Sequence, residues 1–338
     1  MKSAIVVSNG FDGVWPFSAD HFHELWKKQG AVEFIRLEPG DTRATGKIVA
    51  PKVAGELERV VALGVPFTKE CLVKFAKLKE IAICASMEEG LADALKSAGV
   101  RLIKHTSEGF WGESVSEFGF ALTLCALRRI PQTHHQIISE LAPWNYGPPD
   151  GVARPAVRGQ QYGDDSRFTS GTLEGKRVRI VGAGNIASRY ASFANFFGAD
   201  VAAWDPFASE PCFHRAGSRR EHHLERLVQD AEIFAPMVPL MESTKGIVTA
   251  RHIDALPKGC LVVMVTRAMI CDMAAVRRRV MADELALAAD VFDVEPLPLN
   301  DPLLGRHNVV HTPHNAGRTR QANERYAEAL AEQFKPQD

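Results

Sequence analysis

Three residues of complementary chemistry follow one another in the last quarter of the chain, each shortly after an apolar run. Arg267 follows CLVVMVT, Glu295 follows LALAADVF, and His314 follows NVVHTP. An imidazole gains and loses a proton near neutral pH, and a carboxylate on its second ring nitrogen would fix the tautomer and stabilise the imidazolium. A guanidinium can hold a carboxylate through two parallel hydrogen bonds. The trio therefore indicates proton transfer beside a bound anion.

Each of these residues also has an ordinary structural interpretation. A histidine in an apolar segment can simply be packed, a glutamate before Pro296 can belong to a turn, and Arg267 can form a surface ion pair. His311 lies in the same apolar segment as His314 and has no comparable motif around it. The order of arginine, glutamate and histidine after a dinucleotide-type loop favours the functional interpretation.

That loop lies within RIVGAGNIASRYASFANFFGADVAAWDP, residues 179–206. Gly182 permits a tight turn from strand to helix, and Gly184 lets the backbone approach a phosphate. Ala187 is small enough for the helix to pack closely on the strand. The helix predicted to begin near Ile186 would present unpaired N–H groups and the positive end of its dipole to an anion. The spacing predicts a dinucleotide-binding loop.

An acidic residue, Asp205, ends the next apolar run and predicts the choice of cofactor. Its carboxylate would accept hydrogen bonds from ribose hydroxyls and repel a 2′-phosphate, which favours NAD over NADP. Two alternatives remain. The glycines could belong to a turn of any α/β protein, and Arg215, Arg219 and Arg220 could attract a 2′-phosphate. We interpret the three arginines as a solvated basic turn.

Alternating strand and helix patterns predict the scaffold that positions these residues. Such alternation is typical of parallel sheets with helices on both faces. Strands are predicted at 4–8, 32–37, 79–85 and 100–105, and then in RVRIVG, DVAAWD, EIFAPMV, CLVVMVT, LALAADVF and NVVHTPH. Helices are predicted at 19–30, 88–99, 186–197 and 272–282.

The middle of the chain is organised differently. Residues 113–142 form the longest helical pattern, in which Pro131 predicts a kink or a break between two helices. Residues 143–170 are rich in Gly, Pro, Asp and Arg and have no periodicity. A connection of this length in a compact domain is usually functional or covers another part of the molecule.

Composition excludes several classes of protein. The 338 residues favour two domains, and 46% hydrophobic with 24% charged residues is typical of a globular protein. A net charge of −1 without basic blocks argues against nucleic acid as a partner. Apolar runs are too short for a membrane span or a signal peptide, and we predict no metal site. Six scattered cysteines without a CxxC pair predict a reducing, cytoplasmic location.

From about residue 78 onward the sequence resembles the D-isomer-specific 2-hydroxyacid dehydrogenase family, which includes glycerate dehydrogenases and glyoxylate/hydroxypyruvate reductases. LEGKRVRIVGAGNIASRYASFANFFGADVAAWDP resembles its cofactor loop, and SVSEFGFALTLCALRRIP its long interdomain helix. LVVMVTRAMICD, ADVFDVEPLPLNDPLL and NVVHTPHNAGRT resemble its arginine, glutamate and histidine motifs. Glu295 argues against the formate dehydrogenase branch, which carries Gln there.

The resemblance implies two doubly wound, Rossmann-like domains with the active site in a cleft between them. Residues 1–112 and 318–338 would form the substrate domain, and residues 113–317 the NAD-binding domain. It implies an NAD-dependent enzyme that interconverts a 2-oxo acid and a D-2-hydroxy acid, and a homodimer built on the NAD domains. Two alternatives stay open: a non-enzymatic, NAD-sensing protein similar to a corepressor, and a dehydrogenase of a larger polyhydroxy or sugar acid.

The resemblance also implies the residues of the site. Arg267, Glu295 and His314 would be catalytic, and Ala85, Ser86, Met87 and Arg267 would bind substrate. Cofactor contacts are implied for Gly182, Gly184, Asn185, Ile186, Asp205, Val238, Pro239, Thr244, Val265, Thr266, Arg267, Asp290, His314 and Gly317. For Asp290, near the nicotinamide amide, the alternative is a strand-terminal cap.

The sequence departs from the family pattern where the substrate would bind. Ala85, Ser86 and Met87 replace glycines, and Glu88 and Glu89 follow, which would be unfavourable beside an anion unless they point away. Methionines replace residues that are usually polar or small, and we interpret them as flexible core residues rather than an apolar pocket. They are Met237, Met241, Met264 and Met269. With Phe110, Trp111 and Trp144 they suggest a roomier or less polar site.

Overall fold

A computed structural model describes residues 2–104, 111–145 and 163–335. The chain divides into two compact units, Met1–Trp111 with Arg318–Asp338, and Gly112–Gly317. Phe110 and most of the predicted connection 143–170 lie outside the described residues. In the part of the chain that is described, helices are too short or too polar to cross a bilayer.

The first unit is a parallel five-stranded sheet with helices. Its order β2-β1-β3-β4-β5 reverses between β1 and β3, which makes it doubly wound. The strands are β1 Ser3–Val7, β2 Val32–Arg36, β3 Arg59–Leu63, β4 Glu80–Cys84 and β5 Arg101–Ile103. The helices are α1 Asn9–Val14, α2 Ser18–Lys27, α3 Thr45–Ile48, α4 Pro51–Ala54, α5 Lys69–Lys74, α6 Leu91–Ser97 and, at the end of the chain, α14 Arg320–Ala331.

Both faces of this sheet are covered. Successive side chains of a strand point to opposite faces, and alternate residues of β1 belong to different apolar clusters. Ala4 and Val6 of β1 belong to one apolar cluster, and Ile5 and Val7 belong to another. The second cluster includes Leu330 of α14, so the C-terminal helix is part of the first unit's core.

The second unit is a parallel seven-stranded sheet in the order β12-β11-β10-β9-β6-β7-β8. Its strands are β6 Arg177–Val181, β7 Asp200–Trp204, β8 Arg219–Arg220, β9 Ile233–Pro236, β10 Leu261–Met264, β11 Ala286–Ala289 and β12 Val309–His311. Its helices are α7 Gly112–Leu127, α8 Ile130–Ser139, α9 Asn185–Phe196, α10 Glu210–Arg215, α11 Leu224–Leu227, α12 Ala250–Ala255 and α13 Met273–Met281. Two short 3-10 helices lie at Ala142–Asn145 and Ala268–Ile270.

The strand order of this second sheet reverses between β6 and β9. Functional loops of such sheets lie beyond the carboxyl ends of the strands on either side of the reversal. The glycine loop follows β6, and Arg267 and His314 follow β10 and β12 on the other side. This edge of the sheet therefore brings together residues that are far apart in sequence.

The two parallel sheets confirm the predicted fold class, but three features differ from the sequence prediction. Strand β3 was not predicted, although its side chains are buried. Arg219 and Arg220 form an edge strand paired with Ala202 and Ala203 of β7, so the interpretation as a basic turn was wrong for these two residues. The strand predicted at 100–105 ends at Ile103.

The long helical pattern is broken where a proline was expected to break it. α7 ends at Leu127, Arg129 adopts the left-handed region with φ of 50°, and α8 begins at Ile130 with Pro131 in its first turn. A proline in the first turn removes no helical hydrogen bond, because the first N–H groups of a helix have no partner within it. The break lies just before the proline, and the helix resumes after it.

Candidate active site

The glycine loop joins β6 to α9 at the point where the strand order reverses. Gly182 has φ of 111°, and a Cβ there would lie 3.0 Å from Val238 Cγ1 and 3.3 Å from the Met237 backbone. Both its backbone conformation and its surroundings therefore require glycine. A Cβ at Gly184 would meet no atom within 4 Å. The space over Gly184 is open.

These residues fit the pyrophosphate of a dinucleotide. Helix α9 begins at Asn185, one residue after Gly184, and its twelve residues present a full first turn of backbone N–H groups. Ala187, in the first turn of this helix, is 1% exposed, as expected where a helix packs closely on a strand. The open space at Gly184 lies at the start of this helix, where an anion is stabilised by the N–H groups and the helix dipole.

Asp205 follows β7 and is bonded to the glycine loop. Its Oδ2 accepts a hydrogen bond from Ala183 N at 2.9 Å, and its Oδ1 accepts from Phe207 N at 2.9 Å and Ala208 N at 3.1 Å. A carboxylate has about four acceptor positions, so capacity remains for a ribose hydroxyl. Asp205 thus also determines the conformation of the loop, which the sequence did not indicate.

His314 and Glu295 form a close pair at the carboxyl end of the sheet. Nδ1 of His314 lies 2.6 Å from Oε2 of Glu295, and Oε1 of Glu295 accepts from Phe292 N at 2.7 Å. Both carboxylate oxygens are thereby held, which orients the imidazole. His314 has φ of 53°, a conformation that costs a non-glycine residue free energy and tends to occur at functional sites. The described residues form no hydrogen bond with its Nε2.

The loop that carries His314 is held by Asp290, which follows β11. Asp290 is completely buried, and its carboxylate accepts hydrogen bonds from Thr312 Oγ1 at 2.7 Å, Asn315 N at 3.0 Å and Ala316 N at 2.9 Å. These donors lie on both sides of His314 in the sequence. Asp290, directly after the end of β11, therefore caps the loop that carries His314, which agrees with the strand-terminal cap considered as the alternative for it.

Arg267 lies just beyond the end of β10 and is exposed. Its only hydrogen bond within the described residues runs from Nη1 to the carbonyl oxygen of Thr266 at 2.7 Å, and it forms no ion pair with them. Thr266 is buried, with Oγ1 donating to Pro236 O at 3.3 Å. The remaining guanidinium N–H groups of Arg267 are consequently available to an external anion.

The other residues for which the family resemblance implies cofactor contacts differ in how exposed they are. Asn185 is held by Arg189 Nε, 2.9 Å from Oδ1, and Val238 lies against the glycine loop. Thr244 is buried and its hydroxyl bonds the backbone of Pro239 and Met241, so it shapes a turn. Val265 is 3% exposed and faces Gly119 of α7. Ile186 and Gly317 are half-buried, and Pro239 is exposed.

The four unusual methionines separate into two pairs. Met237 and Met264 are buried, as expected of core residues. Met241 and Met269 are 53% and 43% exposed, so the interpretation as core residues was wrong for these two. Gly246 N donates to Met269 O at 2.9 Å, which places the loops carrying the exposed pair side by side.

The loop after β4 in the first unit contains the residues with implied substrate contacts. Ser86 and Met87 are exposed and Ala85 is half-buried. Oε1 of Glu88 accepts a hydrogen bond from Lys69 N, the first residue of α5. The Glu88 carboxylate is therefore bound to the N-terminus of α5. Trp111 stacks on Trp15 in this unit, whereas Trp144 lies in the second unit and is exposed.

Comparison with known proteins gives a consistent result. Residues 151–316 match the model of the D-isomer specific 2-hydroxyacid dehydrogenase NAD binding domain, so the second unit binds NAD. The chain is 26% identical over 278 residues to D-3-phosphoglycerate dehydrogenase of Methanocaldococcus jannaschii, covering 82% of this chain and 48% of that protein. It is 27% identical over 225 residues to glyoxylate reductase of Korarchaeum cryptofilum, covering 66% of this chain and 62% of that protein.

Among solved structures, the NAD-complexed D-isomer specific 2-hydroxyacid dehydrogenase of Lactobacillus delbrueckii ssp. bulgaricus matches with a TM-score of 0.71. At 18% identity, with 98% of this chain and 95% of that chain covered, this likeness establishes the fold. The chain spans less than two thirds of the length of the two curated relatives. Through the NAD-binding domain at residues 151–316, the chain belongs to the D-isomer-specific 2-hydroxyacid dehydrogenase family.

Proposed function

We propose that the protein is an NAD-dependent oxidoreductase that interconverts a 2-oxo acid and a D-2-hydroxy acid. The observation that carries this proposal is the His314–Glu295 pair, with Nδ1 and Oε2 2.6 Å apart at the carboxyl edge of an NAD-binding sheet. Such a pair has the chemistry to move one proton to or from a substrate oxygen. The relatives named above, a phosphoglycerate dehydrogenase and a glyoxylate reductase, act on acids of this class.

The roles of the residues follow from their contacts. Bound nicotinamide would supply or accept the hydride. In reduction, His314 Nε2 gives its proton to the carbonyl oxygen, which becomes the hydroxyl of the product. Glu295, held by Phe292 N, fixes the tautomer of the ring through Nδ1 and stabilises the imidazolium that carries the proton before the transfer. Arg267 binds the substrate carboxylate through guanidinium donors that have no partner among the described residues.

A preference for NAD over NADP is proposed from Asp205. Its carboxylate would accept hydrogen bonds from the ribose hydroxyls with its remaining acceptor capacity, and would repel a 2′-phosphate. Two of the three arginines considered as sites for a 2′-phosphate support this preference, because Arg220 pairs with Glu210 at 3.5 Å and Arg219 with Glu221 at 3.7 Å. Both guanidinium groups are thus partly compensated within their own neighbourhood.

The loop Ala85–Met87 is proposed to bind the substrate carboxylate through backbone N–H groups. Its support is the exposure of Ser86 and Met87 and the engagement of Glu88 by α5, which removes one nearby acid from competition. The exposed Met241 and Met269 would give an apolar surface to a substrate side chain. A larger or less polar 2-oxo acid would suit such a surface better than glyoxylate.

A homodimer through the Gly112–Gly317 unit and a cytoplasmic location are proposed as well. Ile130, Ile137 and Ile138 of α8 are 50%, 46% and 73% exposed, and apolar surface of this kind commonly marks an interface. Light scattering would test the dimer, and Ile138→Glu should shift the molar mass toward that of one chain.

The cysteines support the proposed cytoplasmic location. The chain's six cysteines, all within the described ranges, are unpaired, as in a reducing compartment.

The experiment that tests the function is a screen of 2-oxo acids with NADH, following the loss of NADH absorbance. Turnover of at least one acid, giving the D-hydroxy acid, is expected. NADH binding without turnover across a panel from glyoxylate to phenylpyruvate and sugar-derived 2-oxo acids would favour the NAD-sensing alternative. Identification of the enantiomer by chiral chromatography separates a D-specific enzyme from any other reductase.

A further inference from the structure

We infer that Arg277 is a positioning residue for Glu295, and through Glu295 for the proton-transferring imidazole of His314. This inference deepens the proposed function and rests on it for the role of His314. Arg277 lies on α13, and no motif singled it out in the sequence. It contacts neither His314 nor Glu295 in the structure, but it holds both ends of the loop that carries Glu295.

The ion pairs of Arg277 close that loop. Its Nη2 lies 2.6 Å from Asp293 Oδ1 and its Nε 3.0 Å from Asp293 Oδ2, which is a bidentate contact. Its Nη1 lies 3.1 Å from both oxygens of Asp301. Asp293 and Asp301 flank Glu295, so one planar guanidinium joins the start of the loop to its end.

The environment makes these contacts stronger than ordinary surface pairs. The side chains of Arg277, Asp293 and Asp301 are 21%, 26% and 9% exposed. Burial tends to raise the pKa of Asp301, but the hydrogen bonds from Arg277 and from Leu303 N outweigh it and the pKa is lowered. Bidentate arginine pairs that are shielded from water hold their geometry well, whereas exposed pairs contribute little.

A continuous series of contacts leads from Arg277 to the imidazole. Asp293 is the chain neighbour of Phe292, whose N–H donates to Glu295 Oε1 at 2.7 Å. The other oxygen of Glu295 meets His314 Nδ1. Without Arg277 the loop would still have its backbone contacts, but Glu295 would sample several positions relative to the ring. Misplacement of a catalytic group by about 1 Å can reduce the rate by up to ~10²-fold.

The test compares Arg277→Met with Arg278→Met. Both residues lie on α13 and both form ion pairs, but Arg278 pairs with Asp254, outside the Glu295 loop. We expect Arg277→Met to lower kcat by about 10-fold with an unchanged Kd for NADH, and Arg278→Met to leave both unchanged. Arg277→Lys should recover part of the lost kcat, because it restores a charge without the bidentate contact.

A double-mutant comparison separates positioning from general destabilisation. If Arg277 acts through Glu295, then adding Arg277→Met to Glu295→Gln should reduce kcat by less than 2-fold further, because substitutions that act through the same carboxylate are not additive. A full 10-fold further loss would overturn the inference. Asp301→Asn, which removes one of the two pairs, gives a milder second variant in case Arg277→Met does not fold.

A spectroscopic measurement tests the inference without turnover. The Nδ1 proton of His314 can be followed by NMR, with Glu295→Gln identifying the resonance that depends on the carboxylate. In Arg277→Met this resonance should move toward its position in Glu295→Gln or broaden, and in Arg278→Met it should stay in place. An unchanged resonance together with unchanged kcat overturns the inference. A protein without turnover whose resonance still responds to Arg277→Met would refute the proposed function while supporting the positioning role.

Discussion

His314 occupies the left-handed region with φ of 53° while its Nδ1 lies 2.6 Å from Glu295 Oε2. Two sets of hydrogen bonds maintain this arrangement. Asp290 bonds the backbone on the C-terminal side of the histidine, and Phe292 N bonds the far oxygen of the glutamate. A strained backbone persists only where its surroundings determine it. The imidazole is therefore oriented in advance of any ligand.

Asp205→Asn should weaken NADH binding and reduce the preference for NADH over NADPH. The expected loss is about 1–3 kcal/mol for a charged hydrogen bond. The substitution also replaces one of the two loop-bonded oxygens by an NH2 group, which cannot accept from Ala183 N on one side or from Phe207 N and Ala208 N on the other, so part of the loss will come from the loop itself. Fluorescence titration with both cofactors measures the change. An unmutated protein with equal kcat/KM for NADH and NADPH would contradict the role of Asp205.

Ser86→Pro should abolish turnover with little effect on NADH affinity, because proline removes the backbone donor at this position. Ser86→Ala is the matched control, since it removes only the hydroxyl and should retain turnover. Steady-state kinetics and NADH titration of both variants give the comparison. If Ser86→Pro turned over normally, substrate binding by the Ala85–Met87 loop would be excluded.

Arg267→Lys should raise the KM for the 2-oxo acid by roughly 10-fold or more, because ammonium lacks the bidentate geometry of guanidinium. NADH affinity should change little. Arg251→Lys, an exposed arginine of α12, serves as control and should behave as the unmutated protein. A KM that does not change in Arg267→Lys would place the carboxylate elsewhere.

Asp230→Asn should destabilise the second unit in a pH-dependent way. Arg179 of β6, 2% exposed, donates to Asp230 at 2.6 and 2.8 Å, and these hydrogen bonds lower the pKa of Asp230. A carboxyl whose pKa is lowered by folding stabilises the fold above its ordinary pKa of about 3.9, and this contribution is lost as the pH falls below that value. We expect a loss of about 1 kcal/mol or less near pH 7, because Asp230 is half-exposed and Asp200 remains paired with Arg179.

Urea unfolding at neutral pH and below pH 4 checks this prediction. The difference between Asp230→Asn and the unmutated protein should shrink as the pH falls. Asp254→Asn, which breaks an exposed pair with Arg278, should cost little at either pH. If the loss of unfolding free energy caused by Asp230→Asn increased toward low pH, the ion pair with Arg179 could not be its cause.

The sequence predicted features that depend on local chemistry. Apolar runs predicted most of the strands, and Gly182 predicted the turn at the end of β6 because few other residues tolerate its backbone conformation. Features that depend on distant partners were not predicted. Arg219 and Arg220 form a strand only because β7 is available for pairing, and Arg59 in β3 is buried because it stacks on Trp26 at 4.5 Å.

The candidate site also combines features set by local sequence with features set by distant partners. The histidine and glutamate motifs predicted a pair, and the structure places their side chains together. The buried hydroxyl of Thr244, the cap at Asp290 and the ion pairs of Arg277 depend on how loops pack against helices and strands. No spacing within a single segment encodes these contacts.

The central claim is that His314 transfers the proton in NADH-dependent reduction of a 2-oxo acid. The most direct measurement is the kcat of His314→Ala in both directions, with the Kd for NADH determined on the same preparation. We predict a loss of kcat of ~10²–10⁴-fold in each direction, the scale expected for a positioned acid–base group, with NADH binding retained. Turnover within a few-fold of the unmutated protein, with NADH still bound, would contradict the claim.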